Sequence, residues 1–105
     1  MGKYVFVYVG GDRPESEEEG QRVMAAWREW LEGMGDAVVD WGAPFTASSG
    51  VRGGTLSGLS GYSIVTAAGM DDAVRLAEGC PIFANRGGVE VYETMAMDML
   101  GRTDG

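Results

Sequence analysis

The segment from Lys3 to Val9, with the sequence KYVFVYV, is the feature that most limits what this chain can fold into. Its residues are almost all β-branched or aromatic, which is typical of a β-strand. Aromatic residues at positions 4, 6 and 8 alternate with valines at positions 5, 7 and 9. Since successive side chains of a strand point to opposite faces, this pattern predicts a strand that is buried on both sides of its sheet.

A helix is predicted from about Glu15 to Met34. Ser16 and Glu19 have the spacing of a capping box, and the acidic residues around them suit the positive end of the helix dipole. Apolar residues then recur at helical spacing: Val23, Trp27, Trp30, Leu31 and Met34. This stripe predicts a helix packed on the core, with its two tryptophans serving as core residues rather than as a ligand site.

The remaining segments complete a pattern of alternating strands and helices. Strands are predicted at residues 36–41 (DAVVDW), 61–67 (GYSIVTA) and 87–95 (GGVEVYETM). A short helix is predicted at residues 69–81 (GMDDAVRLAEGCP). Residues 43–60 are rich in glycine and serine and are predicted to form an irregular loop, while residues 97–105 are predicted to be a peripheral tail. The order βαββαβ predicts one α+β domain over residues 1–105, with a ferredoxin-like fold in which two helices cover one face of a four-stranded antiparallel sheet.

Such a sheet leaves its second face without helices. The first strand is apolar on that face too, and a chain of 105 residues has nothing left to cover it. The simplest solution is a homodimer in which two sheets pack face to face, so a homodimer is predicted.

Composition narrows the classes of partner. The chain carries 16 acidic and 8 basic residues, for a net charge of −8, and has no basic stripe, so no nucleic acid is expected as a partner. Its apolar N-terminal run is too short to span a membrane, so no membrane partner is expected either. The single cysteine, Cys80, excludes an intrachain disulfide and predicts a reducing, cytoplasmic location with a structural thiol.

The chain contains no histidine. This excludes Ser-His-Asp and Cys-His catalysis and histidine-based metal sites. The spacing of the cysteine and the carboxylates matches no metal-binding motif, and we expect no metal and no cofactor. Any chemistry must therefore come from carboxylates, tyrosines, basic side chains, the thiol or the backbone.

Two carboxylates are candidate catalytic residues. Asp40 ends the second strand between apolar neighbours, where it is either a general base in a dry pocket or a turn former bonded to the loop backbone. Glu90 alternates with valines and faces away from the helices. It is either a second candidate base or one half of a structural ion pair across the dimer, for which Arg86 and Arg52 are the candidate partners.

Aromatic residues supply the other candidates. Tyr62, a candidate catalytic residue, and Tyr8, a candidate ligand-binding residue, would lie near the pocket wall, where each either donates to a ligand oxygen or packs in the sheet with its hydroxyl satisfied. Trp41 either stacks on a flat ligand or plugs the dimer interface. Phe45 and Arg52 complete the predicted ligand-binding set.

Several blocks of the sequence together resemble the YCII-related (YciI-like) domain family: KYVFVYVGG, the capped helix, GYSIVTAAGMDDAVRLAEGCPIF and GGVEVYETM. The resemblance implies a dimeric α+β barrel built from two ferredoxin-like subunits, with small molecules held between helices and sheet or between subunits. It also implies relatives that are enzymes, including hydrolases or dehalogenases, isomerases, cyclases and cofactor-free monooxygenases. Enzymatic members are associated with a histidine–aspartate pair, and that mechanism does not carry over to a chain without histidine.

The leading functional hypothesis is a homodimer that binds a small aromatic or carbonyl-bearing molecule in a cleft. One alternative is a cofactor-free cyclase, isomerase, hydrolase or monooxygenase that uses a carboxylate base, and another is a structural dimer without a ligand. An unpaired carboxylate in an apolar cavity would favour the enzyme, a roomy cavity with only paired carboxylates would favour binding, and a completely filled interface would favour the structural dimer.

Overall fold

The computed structural model describes residues 1–97. It contains four strands and two helices: β1 (Gly2–Gly10), α1 (Glu17–Met34), β2 (Val38–Pro44), β3 (Leu59–Ala67), α2 (Met70–Ala77) and β4 (Gly87–Glu93). Two short 3-10 turns, Gly35–Ala37 and Pro81–Asn85, precede β2 and β4. The strands form one sheet in the order β2-β3-β1-β4, and every neighbouring pair is antiparallel. The predicted ferredoxin-like α+β fold is therefore confirmed.

Helix α1 begins at Glu17, two residues after the predicted start, because Ser16 is its N-cap. Ser16 Oγ accepts a hydrogen bond from the Glu19 amide at 3.1 Å. In a capping box the side chain of Glu19 would accept from the amide of Ser16, the N-cap residue. Here it accepts from the amide of Glu15, one residue earlier, at 3.3 Å. Gly35 ends the helix with a backbone φ of 56°, a left-handed value that glycine adopts without strain.

Strand β1 was predicted to be buried on both faces, but within one chain its two faces differ. Tyr4, Phe6 and Tyr8 face the helices and are 3%, 0% and 5% exposed. They form the core together with residues from β3, α2, the second 3-10 turn and the cysteine that precedes this turn: Val65, Ala67, Ala73, Ala77, Ile82 and Cys80. We call this helix-side surface of the sheet the covered face. Val5, Val7 and Val9 point the other way and are only partly buried.

The other surface, which we call the open face, carries Val5, Val7, Val9, Tyr62 and Ile64. The register places Val5 opposite Ile64 and Val7 opposite Tyr62, so these side chains form one continuous apolar surface. Within residues 1–97, the two helices pack on the covered face, and no helix lies across the open one.

Strand β2 contains an irregularity that shapes the site described below. Its pairing with β3 shifts register between Asp40 and Ala43, which is a bulge. Gly42 lies in this bulge with a φ of 78°, and a Cβ atom there would lie 1.7 Å from the carbonyl oxygen of Tyr62. Only glycine therefore fits at this position.

The structure alters some predicted boundaries. Asp36 and Ala37, predicted to begin the second strand, belong to a 3-10 turn instead. The predicted loop at residues 43–60 narrows to residues 45–58, because both strands extend further than expected. Apart from Met97, the predicted tail lies outside the described residues. Neither helix in residues 1–97 has both the length and the apolar character needed to cross a bilayer.

Candidate ligand-binding cavity

A cavity of about 400 Å³ lies between α1 and one end of the covered face. Its walls come from β1, α1, β2, β3 and the second 3-10 turn, and include Tyr8, Trp27, Leu31, Trp41, Ser63 and Ile82. Helix α2 contributes no described residue to this lining. Its fully packed residues Ala73 and Ala77 instead fill the other half of the covered face, so the cavity occupies the half that α2 does not cover.

Aromatic rings form much of the wall. Trp27 packs edge-on against Tyr8, with ring centroids 4.7 Å apart and ring planes at 85°. Trp41 is 47% exposed and borders the cavity from β2. Trp30, one turn after Trp27, does not line the cavity; its indole N–H donates to the carbonyl of Leu76 at 3.1 Å and ties α1 to α2. The wall thus offers flat, apolar surfaces to a ring-shaped molecule.

A chain of hydrogen bonds crosses this wall, and we call it the hydroxyl chain. The Tyr8 hydroxyl donates to Ser63 Oγ at 2.7 Å, and Ser63 Oγ donates to the backbone carbonyl of Trp41 at 2.7 Å. Burial raises the pKa of Tyr8 well above its ordinary value, so the phenol keeps its proton at neutral pH. Across residues 1–97, every buried side-chain nitrogen or oxygen has a hydrogen-bond partner.

The bulge in β2 sets the geometry of Trp41. Asp40 Oδ1 accepts a hydrogen bond from the Gly42 amide at 2.8 Å and closes a tight turn around Trp41. The register shift falls at this turn, and the Trp41 carbonyl accepts from the Ser63 side chain. The same turn therefore positions Trp41 beside the cavity and its carbonyl in the hydroxyl chain.

Charged groups occur at the rim of the cavity. Asp12 and Arg28 both line it. Asp12 pairs with Arg86 at 3.6 Å, and its amide donates to the carbonyl of Asn85 at 2.7 Å. Both members of the Asp12–Arg86 pair are well exposed, so solvent screens their attraction.

Comparison with known proteins places the chain in a family. The model of the YCII-related domain matches residues 4–98. The chain belongs to the YCII-related domain family. No curated protein matches it. Among solved structures, it is similar to the 5-chloro-2-hydroxyhydroquinone dehydrochlorinase TftG from Burkholderia phenoliruptrix AC1100, in complex with 2,5-dihydroxybenzoquinone. The identity is 19%, the TM-score is 0.58, and the alignment covers 89% of this chain and 93% of that one, which shows a shared fold.

In this YCII-related chain, three of the predicted site residues come together at the cavity: Tyr8, Trp41 and Tyr62. Tyr62 borders the cavity, although strand alternation directs its ring to the open face, where it stacks on Phe45 with centroids 6.0 Å apart. Phe45 itself does not line the cavity.

The other predicted residues lie elsewhere. Asp40 is exposed and engaged by the Gly42 amide, the arrangement expected of a turn former. Glu90 lies on the open face, is exposed, and accepts a hydrogen bond from Tyr92, which raises the pKa of that phenol. Arg52 is exposed in the 45–58 loop. Within the described chain Arg86 pairs with Asp12, while the ion pair predicted for Glu90 was one across the dimer and stays a prediction.

Two residues central to the cavity were not predicted as site residues. Ser63 is 1% exposed, and it is the one polar residue among the buried positions of β3. A serine at an inward position of a strand was the signal that could have identified it. Trp27 was assigned to the core by its helical spacing; it does pack on the core, but it also lines the cavity.

Proposed function

We propose that this YCII-related protein binds a small, flat molecule with oxygen substituents in the cavity between α1 and the sheet. The observation that carries the proposal is the combination, in one cavity of about 400 Å³, of aromatic walls with a single buried hydroxyl chain. Small-molecule sites typically combine an apolar lining with a few fixed polar groups, and their volumes begin near this value. The complex of TftG with 2,5-dihydroxybenzoquinone supports a ligand of this kind.

Binding has more support than carboxylate catalysis. Among the described residues, the one carboxylate that lines the cavity is Asp12, and it is paired with Arg86. A general base must reach the proton that it removes, directly or through one water. Asp40 and Glu90 do not line the cavity, so the alternative of a cofactor-free enzyme that uses either of them as base has weaker support.

The three tryptophans allow a direct test. In protein with isotope-labelled indoles, para-cresol is titrated while the indole N–H signals are followed by NMR. The signals of Trp27 and Trp41 should shift together and saturate with a Kd of about 1 mM, which is a reasonable affinity for so small a molecule. Trp30 serves as an internal control, because it lies outside the cavity. Equal shifts of all three signals, or no shift at all, would contradict the proposal.

We also propose that two copies pair through the open face. Its apolar side chains are only partly buried in one chain, and Phe45 and Tyr92 extend the same surface at 44% and 53% exposure. Apolar patches of this kind mark protein interfaces, and two identical sheets satisfy each other by a two-fold axis. Light scattering at micromolar concentration should give twice the 11.1 kDa mass of one chain, and a monomer would refute the pairing.

A reducing, cytoplasmic setting is part of the same proposal. Cys80 is buried, and the chain contains no second cysteine with which it could pair.

A further inference from the structure

We infer that the hydroxyl chain presents hydrogen-bond acceptors to the cavity, so that the site selects ligands that donate a hydroxyl group, such as phenols, over ligands that offer only carbonyl or ether oxygens. This inference rests on the proposed binding function and narrows its ligand class.

The direction of the chain follows from its last member. The backbone carbonyl of Trp41 has no hydrogen to give and can only accept. The 2.7 Å contact between Ser63 Oγ and this carbonyl therefore uses the single hydrogen of the serine hydroxyl. Ser63 then has only lone pairs left, so its 2.7 Å contact with Tyr8 requires the phenol to donate. Both hydroxyl hydrogens are thus committed within the wall.

At the hydroxyl chain itself, the remaining capacity is that of an acceptor. A hydroxyl oxygen can accept as well as donate, so lone pairs remain on Tyr8 and on Ser63 after the chain has formed. Tyr8 and Ser63 both line the cavity. A ligand hydroxyl can donate to these lone pairs, whereas a carbonyl or ether oxygen in the same place would face them without an intervening hydrogen.

The surroundings hold the chain in this direction. Tyr8 and Ser63 are 5% and 1% exposed, so bulk water competes little for their hydroxyl hydrogens, which stay on the partners that the wall provides. The Asp40–Gly42 turn fixes the position of the Trp41 carbonyl. Because burial keeps the Tyr8 phenol protonated, the chain does not lose its first hydrogen near neutral pH.

This assignment changes the role expected of Tyr8. Sequence reasoning offered it as a donor to a ligand oxygen or as a packed aromatic residue. In the structure its hydrogen goes to Ser63, and what it offers a ligand is a lone pair.

The experiment compares para-cresol with para-methylanisole, which keeps the ring and the oxygen but lacks the hydroxyl hydrogen. Binding is measured by the indole shifts of Trp27 and Trp41 in the full chain. The wild type should bind para-cresol about tenfold more tightly, the effect of one net hydrogen bond. In Tyr8→Phe one of the two acceptor oxygens is lost, so the ratio of the two Kd values should fall. In Ser63→Ala the other acceptor is lost and the Tyr8 hydrogen is released toward the cavity, so the ratio should fall to about one.

The variants test whether the hydroxyl chain causes the preference. If Tyr8→Phe and Ser63→Ala keep the tenfold preference, it does not come from these two hydroxyls, and the inference is wrong. Equal affinities in the wild type would also overturn it while leaving the binding function intact. If neither compound shifts the two indoles, the binding function itself fails. Tyr92→Phe is the matched control, since Tyr92 donates to Glu90 on the open face, and it should keep the wild-type ratio.

Discussion

The two faces of the sheet are built from alternate residues of the same strands, but they differ in how far a single chain buries them. On the covered face, Phe6 and Val65 are fully buried within a single chain. On the open face, Val7 and Ile64 remain partly exposed although they are equally apolar. Apolar alternation along a strand therefore shows which residues share a face. It does not show whether the covering comes from the same chain or from another one.

The covered face is itself divided in two. Its half under α2 is filled by small residues such as Ala73 and Ala77, while the half toward Trp27 borders the cavity. The stability of the fold should therefore depend mainly on the half of the covered face under α2, and ligand binding on the half toward Trp27. Assembly should depend on the open face.

The largest effect is expected from Phe6→Ala. Phe6 is 0% exposed and stacks on Trp30 with ring centroids 6.1 Å apart, so the change leaves a cavity in the filled half. The free energy of unfolding, measured by urea titration, should fall by about 3–5 kcal/mol. Phe83→Ala makes the same chemical change at a residue that is 49% exposed and should cost less than about 1 kcal/mol. Similar losses in the two variants would mean that the covered face is not the main source of stability.

The second effect tests the open face. Ile64→Lys places a charge in the middle of that surface without touching the lining of the cavity. If two copies pair there, a pair of lysines would have to be buried without partners, and association should weaken about 100-fold or more. Sedimentation or light scattering across a concentration series measures this change.

Val74→Lys is the matched control for Ile64→Lys. Val74 lies on α2 and is 40% exposed, so a lysine there remains in water and should leave association unchanged. If both variants associate like the wild type, the copies do not pair through the open face.

The third effect concerns the reactivity of Cys80 on the covered face. Burial raises the pKa of this thiol to about 11, although a hydrogen bond from the Ile82 backbone acts in the opposite direction. At pH 8 the thiolate fraction in the folded chain should be about 100-fold lower than for an ordinary thiol, and alkylation by iodoacetamide should be slower by at least that factor than in urea-unfolded protein.

The pH dependence of Cys80 has a definite sign. Since the folded pKa lies above the ordinary value of 9.0, the stabilising contribution of the neutral thiol is complete below pH 9 and is lost as the pH rises toward 11. The alkylation rate of the folded protein should still be rising at pH 10. A rate that levels off near pH 9 would mean that the thiol is not buried as described.

The sequence predicted the fold well because the fold depends on local periodicity. The alternation in β1 and the stripe in α1 each specify an element and its inward face, and the order of elements leaves few topologies. Local periodicity could not predict the cavity, because the cavity results from how far α1 and α2 extend over the sheet. Trp27 has the same helical spacing as Trp30, yet only Trp27 lines the cavity.

Asp40 shows the second limit of sequence reasoning. Simple alternation along β2 does not predict where the Asp40 carboxylate points, because the pairing with β3 shifts register between Val38 and Asp40 and again between Asp40 and Ala43. Gly42 was visible in the sequence, but its positive φ and its contact with Tyr62 depend on the partner strand.

The smallest effect should come from Asp40 itself. Asp40→Ala removes the acceptor for the Gly42 amide and should lower the free energy of unfolding by about 1 kcal/mol while shifting the indole signal of Trp41. Asp40→Asn keeps an acceptor oxygen but removes the charge. If Asp40 acts as a turn former, asparagine should restore both the stability and the Trp41 signal nearly to wild-type values, since Asn forms the same turn. If asparagine is as damaging as alanine, the charge of Asp40 matters and the turn-former account is wrong.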